Sequence, residues 1–475
     1  MLIDRQAELD FFHTILTRQH PGPAQLILLY GRRRVGKTFL LRHWAENSGV
    51  RYIYWAAEKE SAALQRRRLF AKVLGVEPSQ ATSFDSWSDC WQAIARVLED
   101  RRVILLLDEF SYAVEAEPGM LSSLQHAWDQ LFQNSQLVIV LCGSHVHAME
   151  SLLTHQSPLF GRFTGQWWLR PLAYAHLQEY FPHWTIEERI AAYAIVGGIP
   201  AYWTWLDPRK RFLDNVRKML TPGSPFIGEP NTLLYDEVRE PTSYLSIIRA
   251  LGAGYHTLAE LSNATMISRG NLSAYLARLQ DLHLVERRVS IVIPPAQRDR
   301  SRTGRYRLLD PFFRFYFRFV PAYQEELDYH LDDVMAKVIK EVRSFIGATG
   351  FEELCRRWVM EQSRAHKLPC IVQEVGSHWS RAVQVDVVGM NWEDHHILLG
   401  ECKWGKDPVE EEVITDLVQR KTSEVFKHLP NLGDKWQAHH ILFARARLKP
   451  AAQAAAATHG VELVDLAALD AVLSH

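Results

Sequence analysis

Four short apolar runs alternate with helical periodicity across the N-terminal part of the chain. Gln25–Tyr30, Arg51–Trp55, Val103–Leu107 and Leu137–Leu141 read as strands. Near-continuous apolar runs of this length fit strands buried on both faces. A helical pattern, Thr38–Glu46, follows the first of them directly. Strands alternating with helices predict a parallel sheet with helices on both sides. The character changes near Pro171 and stays helical to about Pro241, with a break at Gly197-Gly198-Ile199-Pro200. Residues 243–290 read as short amphipathic helices that run into a strand-like segment, and Tyr323–Phe345 as a helical stretch. A second α/β pattern then has strands near Gln384–Gly389, His396–Lys403, His439–Phe443 and Val461–Val464. Ala451–Ala457 is expected to be a surface helix, because alanine is the best helix former.

Composition narrows this picture. A chain of 475 residues has room for about three domains. With 47% apolar and 23% charged residues, it is not disordered, collagenous or a coiled coil. The net charge of −1 excludes a uniformly basic nucleic-acid coat, so any such site must be a local patch. The five cysteines are odd in number and form no CxxC pair, which argues against a disulfide framework and a closed zinc site. The N-terminus is charged from Asp4, unlike a signal peptide, and Val103–Leu107 and Leu137–Cys142 are too short to cross a bilayer. A soluble protein of a reducing cytoplasm, with no membrane partner, is expected.

The first site lies between the first strand and its helix. Gly31-Arg32-Arg33-Arg34-Val35-Gly36-Lys37-Thr38 matches GxxxxGK[ST], the phosphate-binding loop in its required strand–loop–helix context. Glycines let backbone N–H groups curl round phosphate oxygens at a helix N-terminus. Lys37 is expected on the β and γ phosphates of ATP and Thr38 on Mg²⁺, with Phe39 closing the nucleotide-binding run. Val103–Leu107 ends in Asp108-Glu109. Asp108 would join the Mg²⁺ shell and Glu109 would orient or deprotonate the attacking water. The next strand ends in Cys142-Gly143-Ser144, where Ser144 is either a polar sensor of the γ-phosphate or a helix N-cap. Arg162 is either an arginine finger, acting in cis or across a homo-oligomer, or half of a structural salt bridge.

These motifs occur in a telling order: Asp4–Leu9, Tyr30–Thr38, Leu107–Phe110, Cys142–Ser144, Pro158–Arg162 and Gly197–Pro200. Together they resemble the archaeal-type P-loop ATPase family, related to AAA+ and STAND proteins, over essentially the whole chain. The resemblance implies an α/β P-loop NTPase core (1–170), a helical lid over the nucleotide (171–240), a winged helix-turn-helix (241–325) and a DUF234 domain (326–475). It also implies that Arg5 and Glu8 lie near the adenine edge, and that Gly197–Pro200 is a turn within the lid.

Thr257–Leu261 followed by Ser268–Leu272 reads as a helix-turn-helix. Leu272, Leu276 and Leu279 share a core face. Ser268, Arg269, Asn271, Ser273 and Arg278 would then face outward, as a recognition helix requires. Between Arg287 and Arg307 stand seven arginines (287, 288, 298, 300, 302, 305 and 307) against one acid, Asp299. That wing is expected to bind DNA phosphates. The alternative is a protein–protein or interdomain module.

A second chemical centre lies in the last α/β pattern. Asp386, in Gln384–Val388, precedes Glu401-Cys402-Lys403 by fifteen residues. Adjacent strands would bring both carboxylates together, and Lys403 shares a strand face with Glu401. Carboxylates so paired suit Mg²⁺ or Mn²⁺. Glu352 would supply a third carboxylate, and Lys421 would point in from the following helix. The pattern resembles the PD-(D/E)xK nuclease superfamily, implying a restriction-endonuclease-like fold with Lys403 in a catalytic role, unless the fold has lost cleavage. Residues 345–475 hold 18 acids against 14 bases, so this part would need the arginine-rich wing to hold DNA.

Overall fold

In a computed structural model, residues 4–18, 22, 24–99, 101–238, 241–430 and 436–474 are described. The chain divides into two compact units: Met1–Leu172 with Ile199–Thr204, and Ala173–Gly198 with Trp205–His475.

The first unit holds strands β1 (Gln25–Tyr30), β2 (Arg51–Ala56), β3 (Val103–Asp108), β4 (Leu137–Gly143) and β5 (Gly165–Trp168). They form one parallel sheet in the order β2-β3-β4-β1-β5. Every residue of β1, β3 and β4 is buried, which is why these strands show no alternation in sequence. β5 is a four-residue edge strand with alternating half-buried and exposed positions, too short to signal itself. Trp44, Trp87 and Trp91, from the helices Lys37–Asn47 and Trp87–Leu98, are fully buried. Because β4 lies between β1 and β3, its C-terminal end emerges between the loops that follow those strands.

The second unit begins with helices, among them Ile186–Val196, Phe212–Leu220 and Pro225–Glu237. Ile186–Val196 stops at Gly197, whose φ of +61° is one that L side chains rarely adopt. Its Arg189 donates to Asp470 at 2.5 Å, and the Tyr174 hydroxyl donates to the same carboxylate at 2.6 Å. These bonds fasten the C-terminal helix Leu466–Leu473. The helices Leu258–Thr265 and Arg269–Asp281 follow, with Leu272, Leu276 and Leu279 buried as the spacing predicts. A Thr257–Glu260 capping box starts the first of them. The stretch Tyr323–Phe345 is not one helix but two, Gln324–Leu327 and Leu331–Ile346.

Strands β6 (Val285–Arg288) and β7 (Arg305–Leu308) pair antiparallel. The segment between them is not a free wing. Ile291 N donates to Ser377 O at 3.1 Å, and Ser290 Oγ lies 2.7 Å from His378 Nδ1. Ile291 and Val292 are buried in the core of the last sheet. That sheet runs β12-β11-β10-β9-β8, with β8 (Glu374–Trp379), β9 (Gln384–Asn391) and β10 (His396–Lys403) antiparallel. β11 (Gln437–Ala444) and β12 (Val461–Val464) continue it in parallel. The alanine-rich helix, Pro450–His459, buries Ala452, Ala455 and Ala456, so one of its faces is core rather than surface. No helix among the described residues is long and apolar enough to cross a membrane.

Candidate functional site

The strand order assembles the first site. The loop after β1 leads into the helix Lys37–Asn47 through Gly36, whose φ is +98°. Glycine is required there, and a side chain would project into open space at the mouth of the loop. Gly31 is required for a different reason, since a Cβ there would stand 2.3 Å from Leu169 O. Lys37 is buried, and its Nζ donates to Gly31 O (2.8 Å), Arg32 O (3.0 Å) and Ser144 Oγ (3.1 Å). Ser144 Oγ in turn donates to Glu109 Oε1 at 2.6 Å. Thr38 Oγ1 donates to Asp108 Oδ2 at 2.6 Å, and the Tyr54 hydroxyl donates to the same oxygen at 3.0 Å. Burial and the Asp108 charge raise the Tyr54 hydroxyl far above the ordinary tyrosine range, so it stays a donor. Tyr54 was not foreseen; nothing in its sequence context marks it.

Glu109 adopts a left-handed conformation, φ +47°, which is uncommon for a residue with a side chain. That turn at the end of β3 aims its carboxylate at Ser144. Of the two readings of Ser144, the N-cap fails. The helix Val146–Ser151 is preceded by His145, and Ser144 is bonded to Lys37 and Glu109 instead. The hydroxyl and carboxylate oxygens of Thr38 and Asp108 form a donor set of the kind Mg²⁺ takes.

Arg162 meets Asp129 in a bidentate pair at 2.8 and 2.7 Å and also donates to Pro158 O and Phe160 O. This is the geometry of the salt-bridge alternative. Arg5 is buried and bonds Glu8 at 2.9 Å, Val35 O at 3.4 Å and Arg170 O at 3.0 Å, tying the first helix to the phosphate loop. Arg33 donates to the Tyr112 hydroxyl at 2.6 Å. Arg34 and Phe39 are exposed, and Phe39 packs against His43 on its own helix.

In the second unit the outward face of the helix Arg269–Asp281 is polar: Ser268, Arg269, Asn271 and Ser273 are exposed and Arg278 is half-buried. The wing departs from expectation. Arg287 donates to Ser301 O, Arg288 pairs with Glu286, Arg298 grips Glu374, and Arg305 lies over the Trp379 ring. Arg307 donates to Ala348 O. Only Arg300 and Arg302 of the seven are exposed; the other five are half-buried. The local charge is therefore largely turned inward, so arginine density in sequence overstated the footprint offered to phosphates.

The carboxylates of the C-terminal sheet do converge. Asp386 Oδ2 accepts from Cys402 N at 3.1 Å, tying β9 to β10 beyond the last ladder pair. Glu401 accepts from Lys403 at 2.8 Å and from Lys421 at 2.6 Å. Arg356 bridges Asp386 O (2.9 Å) and Glu352 Oε2 (3.4 Å). Burial and then the Asp386 charge push Glu352 up to about 7. Burial and Glu401 raise Asp386 in the same way. Carboxylates that raise one another's proton affinity also favour a divalent cation.

One cluster escaped the sequence entirely. Cys370, His396 and His439 place ligand atoms within 4.8 Å of one another, with the two imidazoles 3.0 Å apart. They come from a loop, β10 and β11, with no motif spacing to reveal them.

Residues 2–204 match the model of an ATPase domain found predominantly in Archaea. Residues 316–419 match DUF234, a domain of archaeal and bacterial proteins of unknown function. An uncharacterized protein of Methanocaldococcus jannaschii is 29% identical over 438 residues, covering 90% of this chain and 91% of the relative. An uncharacterized ATP-binding protein of the same organism is 41% identical over 51 residues, covering 11% of this chain and 81% of that protein. Among solved structures, a Walker-type ATPase of Pyrococcus abyssi aligns at 20% identity and a TM-score of 0.46, over 67% of this chain and 96% of its own. The ORC2 protein of Aeropyrum pernix aligns at 14% identity and a TM-score of 0.44, over 71% and 96%. With a phosphate loop set in a parallel sheet and a mixed C-terminal sheet behind it in sequence, the chain belongs to the archaeal-type P-loop ATPase family and carries a DUF234 domain as well.

Proposed function

We propose that the chain binds and hydrolyses ATP with its first unit and couples nucleotide state to DNA binding by its second, with metal-dependent strand cleavage at the C-terminal carboxylates. The ATPase part rests on one observation: the continuous path Lys37–Ser144–Glu109 beside Thr38–Asp108. Mg²⁺, when bound, neutralises charge on the phosphates. Thr38 and Asp108 hold it. Lys37 and the loop Gly31–Gly36 bind the phosphates, with Arg5 and Phe39 at the borders of the nucleotide. Glu109 orients the attacking water, and Ser144 positions Glu109. Residues 171–240 act as a lid. Arg162, in this reading, holds its loop through Asp129.

DNA binding is assigned to the exposed face of the helix Arg269–Asp281 and to Arg300 and Arg302 of the segment between β6 and β7. Cleavage is assigned to Glu352, Asp386 and Glu401 as ligands for Mg²⁺ or Mn²⁺, with Lys403 neutralising charge as the phosphodiester is attacked. One observation favours a second reading, a nucleotide-dependent switch that does not cut: both Glu401 oxygens are taken by lysines. Incubation of DNA with Mg²⁺ or Mn²⁺ decides between them. The nuclease reading expects cleavage by the wild type and none by Asp386→Ala. A wild type that cuts no form of DNA or RNA overturns it and leaves the switch.

A further inference from the structure

The inward turn of the wing has a consequence. Arg288, Arg305 and Arg307 meet Arg314, Arg318 and Arg356 around a cavity of about 320 Å³. Four of these six are matched by acids: Arg288 by Glu286 (2.5 Å), Arg314 by Glu353 (3.1 Å), Arg318 by Glu341 (2.8 Å) and Arg356 by Glu352 (3.4 Å). Arg305 and Arg307 form no ion pair among the described residues. Arg305 lies 4.9 Å from the Trp379 ring centre, and Arg307 donates to Ala348 O at 3.1 Å. Arg356 is only 9% exposed, and its Nη2 has no hydrogen-bond partner. Glu260 and Glu353 act on Arg305 and Arg307 only from beyond ion-pair distance, and a buried guanidinium N–H without an acceptor among so many guanidinium charges is costly unless an anion completes the set.

The nature of that anion follows from the lining. Guanidinium forks match phosphate oxygens two at a time. The volume exceeds what an inorganic phosphate needs and lies in the range of small-molecule sites. Trp379 lines the same space with the Arg305 guanidinium over its ring, and bases stack on aromatic rings and on guanidinium planes alike. Glu352 lines the cavity as well, and Lys421 spans from Gln384 O at the cavity to Glu401, so the space adjoins the carboxylate centre.

We propose that this cavity binds a nucleotide through its phosphate, either as a free mononucleotide or as one unit of a nucleic-acid strand. The strand form rests on the DNA reading above; the free form does not. A strand seated there would bring a neighbouring phosphodiester toward Glu352 and Asp386, whereas a free nucleotide would be a regulatory ligand separate from the phosphate loop.

The test uses the full chain with the phosphate loop saturated by ADP and Mg²⁺. The probes are dTMP and a fluorescent, cleavage-resistant phosphorothioate oligodeoxythymidylate. Arg305→Gln/Arg318→Gln removes charge from the cavity, and Arg209→Gln/Arg364→Gln removes the same charge at exposed positions outside it. The cavity variant is expected to weaken dTMP or the strand by about tenfold or more, since a charge-assisted hydrogen bond is worth that much. The outer variant should leave dTMP binding within about threefold, because surface charges contribute little. If the double variant unfolds, Arg318→Gln alone, at a half-exposed site, carries the comparison. Binding of dTMP but not of the strand, lost in the cavity variant, supports the cavity and ends the DNA reading. Strand binding that ignores the cavity variant overturns the cavity and leaves the DNA reading standing. No binding of either probe overturns the cavity proposal.

Discussion

The Ser144 hydroxyl donates to Glu109 at 2.6 Å while accepting from Lys37 at 3.1 Å. It therefore holds the carboxylate that faces the nucleotide loop without itself being acidic or basic. Removing it leaves the Glu109 carboxylate only the longer bond from Ser144 N, 3.4 Å. Ser144→Ala should lower kcat for ATP by about 10- to 100-fold, on the order of one preorganised hydrogen bond, with KM little changed. Equal losses in affinity and turnover would mean that Ser144 binds nucleotide instead.

The Arg162–Asp129 pair is bidentate but partly exposed, with side chains 26% and 39% accessible. A double-mutant cycle with Arg162→Ala and Asp129→Ala should give a coupling of about 0.5–1 kcal/mol in urea unfolding. Both single variants should keep ATP turnover near wild type. A loss of about 100-fold or more in Arg162→Ala alone would restore the arginine-finger role.

Arg189 is buried and holds Asp470, which also accepts from Tyr174. Asp470→Ala strands a buried guanidinium. The second unit should lose about 3–5 kcal/mol, the usual effect of breaking a buried pair. Asp470→Asn, which keeps one oxygen to accept from Arg189 and offers an amide N–H to the Tyr174 hydroxyl, should lose less. Equal urea midpoints for wild type and Asp470→Ala would contradict this.

Burial, with the nearby His428 charge second, lowers the His378 imidazole to about 4. The unfolded chain takes up this proton near pH 6.5, before the folded chain does. Stability from His378 is therefore fully present above about pH 6.5 and falls away as pH drops toward 4. His440 behaves alike, also at about 4 because of burial. Urea midpoints measured across this window should decline on acidification. His378→Asn should decline less steeply, by about one proton per molecule. Identical slopes would show that His378 takes up its proton in the folded state.

Much of this was written in the sequence where a local pattern determines the structure. The apolar runs of β1, β3 and β4, each ending in its polar residue, gave both the sheet and the positions of Lys37, Asp108, Glu109 and Ser144. The strand pair carrying Asp386 and Glu401 was equally legible from fifteen residues of spacing. What escaped depends on direction and distant packing. Charge density does not say which way an arginine turns, and most of the wing arginines turn inward because Ile291 and Val292 bury the segment against β8. β5 and β8 were missed because one is four residues long and the other, Glu-Val-Gly-Ser-His-Trp, mixes glycine and serine into a half-buried pattern. Cys370, His396 and His439 meet only through the tertiary fold.

Steady-state ATP hydrolysis with Mg²⁺, compared between wild type, Lys37→Ala and Glu109→Gln, separates the roles of the phosphate loop and of the carboxylate at the end of β3. Nucleotide binding should be followed in parallel by fluorescence titration. The wild type should turn over ATP, Lys37→Ala should bind nucleotide more weakly, and Glu109→Gln should keep binding with turnover reduced about 100-fold or more. Hydrolysis by Glu109→Gln at the wild-type rate would contradict the role of that carboxylate.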